Sequence, residues 1–146
     1  MRPFKRKSDC PIHFAIERFG DAWTLLIIRD LMFFGRSTYG EFLYAGEGIA
    51  TNILADRLER LEVGGIVSKG PDPERPSRSR YALTRQGIDL LPIMLDMIAW
   101  SGEYDPGTAV PPQFVERLKT DRVAVEAEIR ERLVSSGQFL IAPDAP

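Results

Sequence analysis

From Trp23 to Phe34 the chain reads "WTLLIIRDLMFF", apolar on nearly every side of a helix that Asp21 can cap and Gly35 can end. A helix without a polar face cannot rest on a surface. It must be covered all round, at the centre of a fold or between copies of the chain. The remaining segments therefore have to be read as cover for this one.

They divide readily. "CPIHFAIERFG" places Ile12, Ile16 and Phe19 at helical spacing and stops at Gly20, which predicts a short first helix. "STYGEFLYA" offers a capping box, Thr38 with Glu41, and turns Tyr39, Phe42 and Leu43 inward. After "GEG", a helix runs from Thr51 to Val63 with Leu54, Leu58 and Leu61 on one side, ended by Gly64 and Gly65. "IVSK" and "RYALT" read as strands, and "GPDPERPSRS" between them, with three prolines and a glycine, as a hairpin loop with an extended tip. From Thr84 a long helix is expected, with Ile88, Leu91, Leu95, Ile98 and Trp100 apolar and a bend at Pro92. "YDPGTAVPP" is a linker, and a charged helix interrupted near Thr120 follows. "QFLIA" adds a strand or a packed tail.

This order gives a mostly α chain with a small β-hairpin: a winged helix-turn-helix with a long dimerisation helix and a C-terminal helical extension. Residues 1–9 form a basic arm, in which Arg2, Lys5, Arg6 and Lys7 either touch phosphates or serve only as a flexible solubilising tail. Residues 10–104 form the winged domain, and residues 105–146 the linker and extension.

Catalysis is not expected. One cysteine, Cys10, and one histidine, His13, leave no disulfide framework, zinc cluster or nucleophile–base set. Neither a cofactor nor a metal is implied. No apolar run reaches the roughly 18 residues of a membrane span, so a cytoplasmic protein is expected. The net charge is −2, but unevenly spread: residues 1–85 hold 14 Lys/Arg against 11 Asp/Glu, and residues 86–146 hold 5 against 10. The first part is the electropositive working end.

Helical geometry, about 100° per residue, sets Asn52, Ala55, Asp56 and Glu59 opposite the leucines, with Arg57 on one flank and Arg60 between. Asn can bond an adenine edge, Ala can touch a thymine methyl, and Asp can accept from a cytosine amino group. Thr51, Asn52, Ala55, Asp56, Arg57 and Arg60 are the expected groove contacts. The bland alternative is a solvated helix laced by an Asp56–Arg60 pair at i,i+4. Arg75, Ser77, Arg78 and Arg80 suit a wing that bonds phosphates or enters a minor groove, and Arg36, Ser37 and Thr38 would add backbone contacts. The plain reading of that loop is a proline-rich tip with solubilising charges. Trp23, Leu26, Ile27, Met32, Leu91, Met94, Leu95, Ile98 and Trp100 are more than a domain of this size usually buries alone. That points to a dimer interface through Ile12, Ile16, Trp23, Leu91, Leu95, Ile98 and Trp100; an apolar ligand pocket is their second use, and plain core packing the bland one.

"CPI", "GDAWTLLIIRDL", Gly35, "YGEF", "GIATNILADRLERLEVGGIV" and "RSRYALTRQG", with Pro92 and Trp100, resemble the HxlR family of winged-helix regulators, from about Cys10 to Gly102. That resemblance implies a homodimeric, sequence-specific transcription factor without enzymatic activity, and two recognition helices about a two-fold axis lead to the expectation of a repressor on a pseudo-palindromic duplex. It also implies response to electrophiles or oxidants through an N-terminal cysteine, the position of Cys10. A thiol at a helix start is favoured as thiolate, helped by Lys7 and opposed by Asp9; the other reading of Cys10 is a small buried residue at the dimer seam. Ala22, Ser37, Thr38 and Ala50 stand where the family usually has lysine, basic residues and a capping serine. A winged-helix protein-interaction module without DNA binding is the alternative, favoured by the acidic total and those lost basic positions.

Overall fold

The computed structural model describes residues 4–135. The expected "QFLIA" element and Arg2 lie outside the described residues. Helix α1 spans Pro11–Phe19, α2 Ala22–Phe33, α3 Tyr39–Leu43 and α4 Thr51–Val63. The strands are β1, Val67–Pro71, and β2, Ser79–Leu83, followed by α5 (Arg85–Ile88), α6 (Leu91–Tyr104), α7 (Pro112–Thr120) and α8 (Arg122–Ser135). The fold is a winged helix.

Helix α2 is central, as its composition demands. Asp21 caps it, accepting from the Thr24 N–H at 3.0 Å. Ile27, Ile28, Leu31 and Met32 are buried with Leu54, Leu58 and Leu61 of α4 and with Leu91 and Leu95 of α6. Each such side chain contributes about 1.5–3 kcal/mol relative to exposure. The cover is incomplete on one side. Leu25, Leu26 and Phe33 line an apolar groove of about 770 Å³ with Met94, Met97 and Phe114.

The hairpin pairs Val67 with Leu83 through to Pro71 with Ser79, antiparallel. A single β-bridge extends the hairpin beyond its two strands. Thr38 bridges Arg80, and the Tyr81 N–H donates to the Ser37 carbonyl at 2.7 Å, tying the wing to the start of α3.

The long helix after Thr84 is two helices. Thr84 caps only α5, and the chain restarts at Leu91 with Pro92 in the first turn. Proline has no N–H to donate and its ring clashes with the carbonyl four residues back, so a break replaces the expected bend. Gly87 is required in α5, because a Cβ there would collide with the Ile66 carbonyl oxygen.

The charged helix does divide, at Asp121. Its two halves fold back onto the winged domain: Leu118, Val125 and Leu133 join the same core, and Arg132 donates to the Met32 carbonyl at 2.9 Å. Arg122 binds both the Pro92 carbonyl and Asp96.

Candidate nucleic-acid interface

Helices α3 and α4 form the helix-turn-helix. Thr38 and Glu41 make the capping box, with Glu41 Oε1 accepting from the N–H groups of Ser37 and Thr38 at 3.1 and 3.0 Å. Burial raises the Glu41 pKa, but these donors outweigh it and leave the carboxyl below its ordinary value. Ser37 and Thr38 are buried, and Thr38 holds the start of α3 through the capping box. Arg36 is half-buried and donates to Asp30 at 2.7 Å. The three expected backbone contacts thus serve the protein's own structure.

Helix α4 has the bounds and the sidedness expected from its leucines. Leu54, Leu58 and Leu61 are buried, while Thr51, Asn52, Ala55, Asp56 and Glu59 are exposed. No side chain caps its start, since Ala50 holds the cap position and Thr51 lies within the helix. The Tyr39 hydroxyl donates to the Thr51 carbonyl at 3.0 Å and ties the start of α3 to the start of α4. An uncapped first turn leaves donors that suit a phosphate.

The two arginines of α4 turn back toward the chain. Arg57 Nε donates to Asp21 Oδ2 at 2.8 Å, and its Nη1 to Asp56. Arg60 donates to the Glu17 carbonyl at 3.2 Å and lies over the Phe4 ring. Asp56 therefore pairs with its neighbour and not with Arg60 four residues on. The outward face that remains is Asn52, Ala55, Asp56 and Glu59, short or acidic throughout.

Hydrogen bonding from Arg57 holds the Asp21 carboxyl below its ordinary value. A depressed carboxylate contributes stability above its unfolded pKa and loses it as pH falls through the folded value. Melting temperature is expected to fall on acidification below about pH 4. Asp21→Asn, which keeps the cap, should flatten part of that fall. Identical acid profiles for the two proteins would contradict the assignment.

The wing tip is closed, not extended. Buried Asp72 accepts from the Glu74 N–H at 2.9 Å and from Arg78 Nε at 3.0 Å, and the backbone of Arg78 bonds Asp72 and Arg75. Arg78 is a clamp. Arg75 and Ser77 are exposed, and their side chains have no partner among the described residues; Arg80 is half-buried beside Thr38. Arg75→Ala is expected to weaken binding to every duplex and to lower the salt slope by about one. Arg78→Ala should instead loosen the tip. An unchanged slope in Arg75→Ala would exclude that residue from the interface.

The expected dimer residues separate into two sets. Leu91 and Leu95 are fully buried inside the protomer, and Trp23 and Ile98 are half-buried. The protomer's own core has claimed the first pair, which leaves them no exposed surface to offer a partner. Ile12, Ile16 and Trp100 are exposed, and α1 buries no residue at all. Ile93, Met97 and Tyr104, which the sequence reading missed, extend Trp100 into an exposed stripe along α6, with the Trp100 and Tyr104 rings 5.3 Å apart. Their spacing of four, three and four was the available signal. Cys10 is exposed within the protomer, at the start of α1.

Among the described residues no group of His, Cys, Asp and Glu could hold a metal, and no helix is long and apolar enough to cross a membrane. The model of the HxlR-like helix-turn-helix family matches residues 18–108. The chain belongs to that family. The uncharacterized HTH-type transcriptional regulator sll1512 of Synechocystis sp. is 35% identical over 94 residues, covering 64% of this chain and 69% of that one. The HTH-type transcriptional regulator YodB of Bacillus subtilis is 34% identical over 103 residues, 69% of this chain and 91% of YodB. YodB in its reduced form superposes with a TM-score of 0.57 at 32% identity, over 69% of this chain and 100% of that one. The redox regulator HypR in its reduced form gives 0.59 at 28% identity, over 66% and 95%. This HxlR-type protein is a winged-helix, DNA-binding regulator of transcription by family.

Proposed function

We propose that the protein is a homodimeric, sequence-specific repressor that acts in the cytoplasm by occupying a pseudo-palindromic operator. The observation that carries this reading is α4: its leucines are buried and its opposite side is exposed, short-chained and rich in hydrogen-bonding groups. The wing supplies Arg75, and the exposed faces of α1 and α6 supply the dimer seam. Two α4 helices related by a two-fold axis would enter successive major grooves about 34 Å apart. Titrating labelled duplexes at several salt concentrations tests the reading. A steep salt dependence together with preference for selected sequences supports it, and no binding at moderate salt would favour the protein-interaction module, which the acidic outward face of α4 also suits.

Two inputs fit the same framework. The apolar groove beside α2 suits a small apolar effector, because Leu25, Phe33, Met94 and Phe114 line it, and Arg29 in its wall is bonded to Glu47, in the turn that leads into α4. Cys10 is exposed at the start of α1, and HypR is named a redox regulator. With a single cysteine per chain, oxidation by disulfide would join two chains or capture a small thiol.

A further inference from the structure

The ion pairs around α4 look at first like a reason to doubt base reading, since its arginines face inward. Their arrangement is more specific than that. Asp21 is fixed by capping α2, with both the N–H and the hydroxyl of Thr24 donating to its Oδ2. Arg57 forks onto Asp21, at 2.8 and 3.4 Å, and its remaining nitrogen holds Asp56 Oδ2. Arg57 is sheltered, with 26% of its side chain exposed, while Asp56 is presented, at 49%. Asp56 Oδ1 has no hydrogen bond among the described residues.

A lone carboxylate on a groove-facing helix would be repelled by phosphates on either side. Here a cation compensates it and also fixes its direction, because a planar guanidinium bonded at two points cannot swing freely. One acceptor oxygen is left at the middle of the outward face, beside Asn52. An oriented acceptor without a donor matches the exocyclic amino group of cytosine in the major groove, and meets repulsion from the acceptor edge of guanine.

We propose that Arg57, anchored on Asp21, is a positioning residue that aims Asp56 at a cytosine amino group, so that specificity at one base pair per half-site is set by a contact 36 residues away in sequence. The inference rests on the proposed DNA reading.

Selection of binding sequences from a random duplex pool, using the full chain, tests it. Asp21→Asn keeps the α2 cap and the Arg57 charge but weakens the anchor. It should cut discrimination at one base pair by about five- to tenfold, with affinity for random duplex within about twofold. Arg57→Lys keeps the charge without the fork, and should lose the same preference while keeping the salt slope. Asp56→Asn should move the preferred base there from cytosine to adenine. Selected sequences identical to the wild-type set in Asp21→Asn and Arg57→Lys would overturn the proposal, as would a wild-type set without a cytosine-specific position. A wild-type protein that enriches no sequence would instead bring down the DNA reading itself.

Discussion

Replacing Met97 and Trp100 by lysine is expected to yield a folded single chain whose affinity for a two-half-site duplex is at least about 100-fold weaker. Both side chains lie on the exposed stripe of α6, so their loss removes little from the protomer core. Two lysines facing two more across a two-fold axis must be desolvated and repel one another, which an apolar seam cannot accommodate. Without pairing, the second α4 no longer binds as an intramolecular event, and that advantage is typically about 10²–10⁴-fold. Lysine is the informative choice, because added positive charge cannot itself weaken attraction to DNA. Sedimentation velocity and duplex titration read the two consequences together. A variant that remains paired, or that separates and binds as tightly as before, contradicts the assigned seam.

Leu58→Ala is expected to destabilise the protein by about 2–5 kcal/mol. Leu58 is buried between α2 and the other leucines of α4, where neighbours fixed by the same core cannot collapse into the space left. For a chain of this size each kcal/mol shifts the melting temperature by about 2–4 °C, so a fall on the order of 10 °C is expected. Asn52→Ala, on the opposite side of the same helix, should change stability by less than about 0.5 kcal/mol. Its effect belongs in base preference. Thermal melts of the pair separate the holding side of α4 from the reading side, and equal destabilisation by both would contradict that division.

What the sequence reveals here is what short-range chemistry determines. The leucine spacing marks α4 from Thr51 to Val63, and Thr38 with Glu41 marks the start of α3. The hairpin follows from its prolines and alternating strands. What escapes is the pairing of side chains distant in sequence. Arg57 reads as a groove contact until Asp21 is brought beside it, and Arg60 until Glu17 is. Arg78 reads as a free wing charge until the tip closes on Asp72. Leu91 and Leu95 read as seam residues because their apolar character does not say which side of α6 meets the core, whereas the stripe through Ile93 and Tyr104 could have been read from spacing alone. The return of α7 and α8 onto α2 and α6 has no local signal, as contacts such as Arg132 with Met32 span 100 residues.

The central claim is that the outward side of α4 enters a major groove, twice in each two-chain assembly. Hydroxyl-radical footprinting on a duplex recovered by selection tests it most directly. Two inverted half-sites with centres about 10 base pairs apart are expected, with weakened protection of both in Asn52→Ala. One uninterrupted site without internal symmetry, or a footprint that Asn52→Ala leaves unaltered, would contradict it.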